Sequence, residues 1–145
     1  MPTVKIINED LKIETQREAV RGMLINSGVP HFVVDINPDA ELAKELRKAK
    51  ELSPEGANIT FISYDGTETM GAITFERGVE GFTLACGTGA IAAAAFYKNK
   101  IKNENKQFID MPGGLFEIIW NAENKPNMTS HAQFDFDFYL YEDEI

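Results

Sequence analysis

The only cysteine of the chain, Cys86, is followed by Gly87, Thr88 and Gly89 and then by an alanine-rich run, Ala90 to Tyr97, that is apolar on every side. A helix with no polar face is a buried helix, and alanines let neighbouring elements approach it closely. The pattern assigns Thr88 as the N-cap, its hydroxyl accepting a backbone N–H at the helix start. Cys86 then stands beside free N–H groups and the positive end of the helix dipole. Such a place holds a carboxylate and lowers the pKa of a thiol from its ordinary value of about 8.5. A thiolate beside an anion cradle suits removal of a proton from the carbon alpha to a carboxylate. The residues alone also admit a blander reading, a small buried hydrophobe next to an ordinary glycine turn.

The elements that must position this chemistry come next. Thr3 to Gln16 reads as two short alternating strands around a polar turn at Asn8–Asp10. Met23–Ile25 suggests a third strand, and Phe32–Ile36 a fourth. Asn37 as N-cap with Pro38 at the first helical position predicts a helix from about Pro38 to Leu52, stopped by Ser53-Pro54-Glu55-Gly56. Asn58–Tyr64 and Met70–Arg77 form a hairpin around Asp65-Gly66-Thr67. Lys98–Lys106 reads as a charged loop. Gln107–Asp110 and Leu115–Trp120 flank Met111-Pro112-Gly113-Gly114, a second hairpin. Phe134, Phe136, Phe138 and Leu140 alternate with polar residues as a half-buried strand before an acidic tail. Short strands with two helices, one wholly apolar, predict a single α+β domain over residues 1–145, its curved, mostly antiparallel sheet wrapped around a buried central helix.

Composition narrows the function classes. A chain of 145 residues is one domain with room for a real core. A net charge of −9 argues against nucleic acid as a partner and supplies no basic patch for a membrane. One cysteine makes no internal disulfide, which fits a reducing compartment. No apolar run reaches membrane-spanning length, and MPTVKIINED has no signal-peptide core, so the expectation is a cytoplasmic protein. Two distant histidines and one cysteine form no metal signature.

The segments Glu76-Arg77-Gly78, Thr83-Leu-Ala-Cys-Gly-Thr-Gly-Ala90 and Met111-Pro-Gly-Gly114 with Phe116-Glu117-Ile118 and Trp120 resemble the carboxyl-terminal half of the diaminopimelate epimerase family. The resemblance runs from about Gly28 to Thr129. It implies cofactor-independent inversion at an alpha carbon, from LL- to meso-diaminopimelate in lysine biosynthesis, by two cysteines acting on opposite faces of the substrate. It implies that Cys86 is the cysteine of the second half and Glu76 its acidic partner. Gly87 and Thr88 would hold the alpha carboxylate, Arg77 the distal carboxylate, and Asn58 would contact substrate. His31, in Gly28-Val29-Pro30-His31, matches a histidine that serves the cysteine of the first half. Without the resemblance, Glu76-Arg77 is a solvated pair at a strand end, Asn58 a turn residue and His31 a bland strand residue. His131 receives no role.

Three departures bear on that expectation. The whole first half, with its cysteine, lies outside this sequence, so the chain is either an expressed fragment or a subunit whose first half is a separate chain, with a homodimer that pairs two Cys86 thiols as a further arrangement; the isolated chain is expected to be inactive. Val29 stands where the family has a substrate-contacting asparagine. One additional residue separates Glu76 from Cys86, absorbed by a bulge or else leaving Glu80 as the acid near the thiol. Two alternatives follow: another racemase or isomerase of the same fold, acting on a smaller amino acid, or a non-catalytic binding module.

Overall fold

The computed structural model describes residues 3–52, 56–67 and 69–132. Among these residues nine strands and two α-helices follow one another: β1 (Lys5–Glu14), β2 (Ala19–Asn26), β3 (Pro30–Val34), α1 (Ala40–Leu46), β4 (Asn58–Ser63), β5 (Thr69–Glu76), β6 (Gly81–Thr83), α2 (Gly87–Phe96), β7 (Lys106–Met111), β8 (Gly114–Trp120) and β9 (Pro126–Ala132). They build one mixed sheet in the order β1-β2-β3-β4-β5-β7-β8-β9, with β6 paired to the last residues of β5. Neighbours are antiparallel except at two places, β3 with β4 and β5 with β7.

Those two parallel contacts are the crossovers, one through each helix. Crossovers between parallel neighbours are almost always right-handed. β5 runs opposite to β4 while the sheet keeps advancing sideways, so two crossovers of one hand place their helices on opposite faces. The side chains follow this division. Phe32, Ile59, Phe61 and Phe75 pack with Leu42 and Leu46 of α1. Val33, Ile62, Met70 and Ile109, alternate residues of the same sheet, pack with α2. Period-two alternation therefore decides which helix each strand residue meets. On the α2 side, Gly89 to Phe96 are all buried, and the helix touches β2, β3, β4, β5, β7, β8 and β9. A helix of alanines has no exposed stripe to spend on polar residues, which is why its sequence shows none.

Several local expectations are corrected. β1 is a single ten-residue strand; the Asn8 side chain accepts the Asp10 N–H at 3.0 Å, and the turn signal is absorbed as register shifts against β2. The first helix starts at Ala40 with Asp39 as its cap, accepting the Leu42 N–H at 3.1 Å. Arg17 holds the same carboxylate at 2.9 Å, so Asp39 outcompetes Asn37 for the capping position. That helix ends at Leu46, and Lys50–Leu52 form a separate 3₁₀ turn. The helix α2 continues as a π turn over Tyr97–Ile101, where a loop was expected from Lys98. β9 has no counterpart in the sequence reading; among the described residues it is the last strand of the sheet, mostly exposed, held by pairing along all of β8. The expected strand over residues 134–141, the acidic tail and the stop at Ser53-Pro54-Glu55 lie outside the described residues.

Candidate active site

Cys86 is the N-cap of α2, with extended backbone (φ −143°, ψ 106°) and no side-chain cap. Its carbonyl accepts the first helical hydrogen bond, from Ala90 at 2.9 Å. The expected cap, Thr88, is instead the second residue of the helix. Its hydroxyl is drawn inward to His31 Nε2 at 2.9 Å, and its carbonyl accepts the buried Ser27 hydroxyl at 2.7 Å. Among the described residues no side chain caps the start of α2, and Cys86, which precedes it, is buried. Uncapped N–H groups at a helix start are of the kind that can hold an anion.

Behind the thiol runs a chain of polar contacts inside an apolar core. Cys86 Sγ lies 3.5 Å from Thr88 Oγ1. His31 Nδ1 lies 2.8 Å from Thr60 Oγ1, and Thr60 Oγ1 lies 3.0 Å from Thr74 Oγ1. His31, Thr60 and Thr74 are fully buried. They come from adjacent strands β3, β4 and β5, and each faces α2 by alternation. Burial pushes the His31 imidazole from its ordinary 6.5 down to about 4, because a charged ring has no water there. At neutral pH the ring is neutral, with one donor and one acceptor nitrogen.

Glycine at position 89 is what lets this assembly close. A Cβ there would sit 2.3 Å from Thr74 Oγ1 and 3.3 Å from the sulfur. Gly87 is covered by Met128 of β9, whose Cε would be 3.0 Å from an added Cβ.

The other expected residues gather near this end of α2 to different degrees. Glu76 ends β5 two residues after Thr74, so it shares the α2 face of that strand; its carboxylate makes no hydrogen bond or ion pair among the described residues. Asn58 begins β4 on the same face as Thr60, and its Oδ1 accepts the Arg77 backbone N–H at 2.9 Å. The asparagine thus ties the start of β4 to the end of β5. Arg77 lies across Gly56, its Cδ 3.6 Å from where a Cβ would be. Glu80 is held elsewhere: Arg47 Nε donates to it at 2.8 Å, and that guanidinium keeps its carboxyl below the ordinary carboxylate range. In the β5–β6 turn Gly78 and Glu80 take positive φ values of 91° and 61°. His31 reaches toward this chain's own thiol through Thr88, with both ring nitrogens already engaged.

Sequence reasoning missed Thr60, Thr74, Ser27 and Met128. A signal for two of them was present: Ile59-Thr60-Phe61 and Ile73-Thr74-Phe75 repeat one tripeptide in the two arms of a hairpin, and the threonines are cross-strand partners. A threonine between two large apolar residues in a buried strand has its hydroxyl on the opposite face from them, where it needs a partner.

A cavity of about 540 Å³, lined by Val4, Ile6, Ala95, Lys98 and Trp120 among others, lies at the other end of α2, away from Cys86. Two residues before the buried Cys86, Leu84 is exposed at the surface (73%). Among the described residues no group of three or more His, Cys, Asp or Glu could hold a metal ion. No described helix is long and apolar enough to cross a membrane.

The family model described as diaminopimelate epimerase matches residues 23–134. The chain is 35% identical over 125 residues to diaminopimelate epimerase of Aquifex aeolicus, covering 81% of this chain and 44% of the relative. It is 36% identical over 137 residues to that of Archaeoglobus fulgidus, covering 92% and 48%. The chain therefore spans about half the length of the curated relatives it matches. Among solved structures it resembles a probable proline racemase from Agrobacterium radiobacter K84 with a TM-score of 0.61 and 18% identity, covering 94% of this chain and 53% of that one. A hydroxyproline epimerase from Agrobacterium vitis gives 0.59 and 14%, covering 94% and 52%. At those identities the likeness concerns the fold alone.

Proposed function

Because the chain belongs to the diaminopimelate epimerase family, we propose that it is the carboxyl-terminal half of a cofactor-independent amino-acid epimerase that converts LL- to meso-diaminopimelate in the cytoplasm. In this reading the sheet is one of two helix-wrapping halves, and the substrate lies between this half and a first half that lies outside this sequence. The observation that supports it best is Cys86 at the uncapped start of α2. A substrate carboxylate docked on the N–H groups of Gly87 and Thr88 would bring its alpha carbon toward the sulfur. The thiolate takes the alpha proton, negative charge spreads onto the carboxylate held by those N–H groups, and a group from the first half returns a proton to the opposite face. Glu76 shares a strand face with Thr74 and would take up or supply the thiol proton. Arg77 would grip the distal carboxylate, Asn58 would fix the strand ends that carry both, and His31 would act through Thr88.

The exposed Leu84, two residues from the thiol, gives the missing half an apolar surface to cover. The isolated chain is then inactive, since one thiol alone reaches one face of the substrate. The test is co-expression with the first half of a relative such as the Aquifex aeolicus enzyme, followed by alpha-deuterium exchange and chiral analysis of diaminopimelate. Inversion that disappears in C86A supports the assignment. Full activity in C86A rejects it. A panel of smaller amino acids in the same assay addresses Val29, where the family has asparagine: preference for them would identify a different racemase of this fold.

A further inference from the structure

The polar chain behind Cys86 has a direction, and the direction is set at its far end. Thr74 is fully buried, and among the described residues the only partner of its hydroxyl is Thr60 Oγ1 at 3.0 Å. A buried hydroxyl hydrogen left without an acceptor is costly, so Thr74 donates to Thr60. The Thr60 hydrogen is then spent on the other neighbour, His31 Nδ1 at 2.8 Å. A neutral imidazole that accepts at Nδ1 carries its hydrogen on Nε2, and that hydrogen faces Thr88 Oγ1 at 2.9 Å. Thr88, having accepted from the ring, donates its own hydrogen to the remaining neighbour, Cys86 Sγ at 3.5 Å. The reverse order, starting with the thiol as donor, strands the Thr74 hydrogen in the core.

We propose that Thr74, Thr60, His31 and Thr88 form a one-way hydrogen-bond relay that aims the Thr88 hydroxyl proton at Cys86 and thereby favours the thiolate. Thr60, Thr74 and His31 are positioning residues: they act on the sulfur through Thr88. The low proton affinity of the buried ring keeps it neutral, as the relay requires. The catalytic meaning of the relay rests on the epimerase reading, but its orientation does not.

Two measurements on the full chain test it without any substrate. Long-range ¹H–¹⁵N spectra of the imidazoles near neutral pH, assigned with H31Q, are expected to show His31 as the Nε2–H form; an Nδ1–H pattern overturns the proposal. The rate at which iodoacetamide alkylates the single cysteine is expected to fall at least about threefold in T88V and T60V and to recover in T88S and T60S. Rates in T60V equal to those of the unmodified chain overturn it as well. The tautomer is read on the unmodified protein, so a variant that fails to fold leaves the test intact. A chain that passes both tests yet shows no inversion with its partner half refutes the epimerase reading and keeps the relay; an active enzyme with the Nδ1–H form refutes the relay alone.

Discussion

Lowering the pH from about 7.5 toward 4 should destabilise this domain through one residue, His31, by an amount the structure fixes. The folded ring binds its proton only near pH 4, whereas the unfolded chain does so near the ordinary 6.5. Between those values the unfolded state holds a proton that the folded state refuses. The stabilisation from keeping His31 neutral is therefore complete above about pH 6.5 and is lost as the pH falls toward 4. At about 1.4 kcal/mol per tenfold difference in proton affinity, the full loss is about 3 kcal/mol, and about 2 kcal/mol is already gone near pH 5. That is a large fraction of the margin of a small domain. Urea unfolding of the unmodified chain and of H31Q at a series of pH values isolates the effect, because every other ionisable group is present in both proteins. H31Q should be the weaker protein at pH 7.5, with the gap narrowing by about 2 kcal/mol by pH 5. Two parallel curves would refute the reasoning, since they would mean that the ring is as easily protonated folded as unfolded.

Gly89→Ala sets helix propensity against sterics: alanine gains about 1 kcal/mol in a helix, but its Cβ would meet Thr74 Oγ1 at 2.3 Å, an overpacking worth about 1–3 kcal/mol. The clash should prevail, and a urea midpoint at or above that of the unmodified chain would contradict it. Trp120→Phe removes the donor that reaches Gln107 Oε1 at 2.6 Å in a pair that is almost fully buried, at a cost of about 1–3 kcal/mol in the same measurement; an unchanged midpoint would show that the glutamine finds another donor. Leu84→Glu adds a charge to an exposed residue and should leave folding intact while weakening capture of the first half about tenfold or more. Equal complementation by L84E and the unmodified chain in the co-expression assay would place the mating surface elsewhere.

The sequence by itself determined the local and periodic features. An alanine run with no polar face could only be an interior helix, and a cysteine ahead of Gly-Thr-Gly could only stand at its start. The patterning of Asn58–Tyr64 and Met70–Arg77 announced the two arms of a hairpin, and the motifs around Cys86 and Met111 announced the family. Tertiary structure decided which groups meet. Alternation says that Phe75 and Thr74 face opposite ways, but which helix each one meets depends on two crossovers landing on opposite faces of a sheet whose strand direction reverses between them. For the same reason His31 came to face this chain's own thiol, across Thr88. Asp39 displaced Asn37 as a cap because Arg17, distant in the chain, holds it there. Glu80 was taken from the thiol by Arg47. Short-range periodicity is written into neighbouring residues; hydrogen-bond partners dozens of positions apart are chosen only when the sheet closes its register.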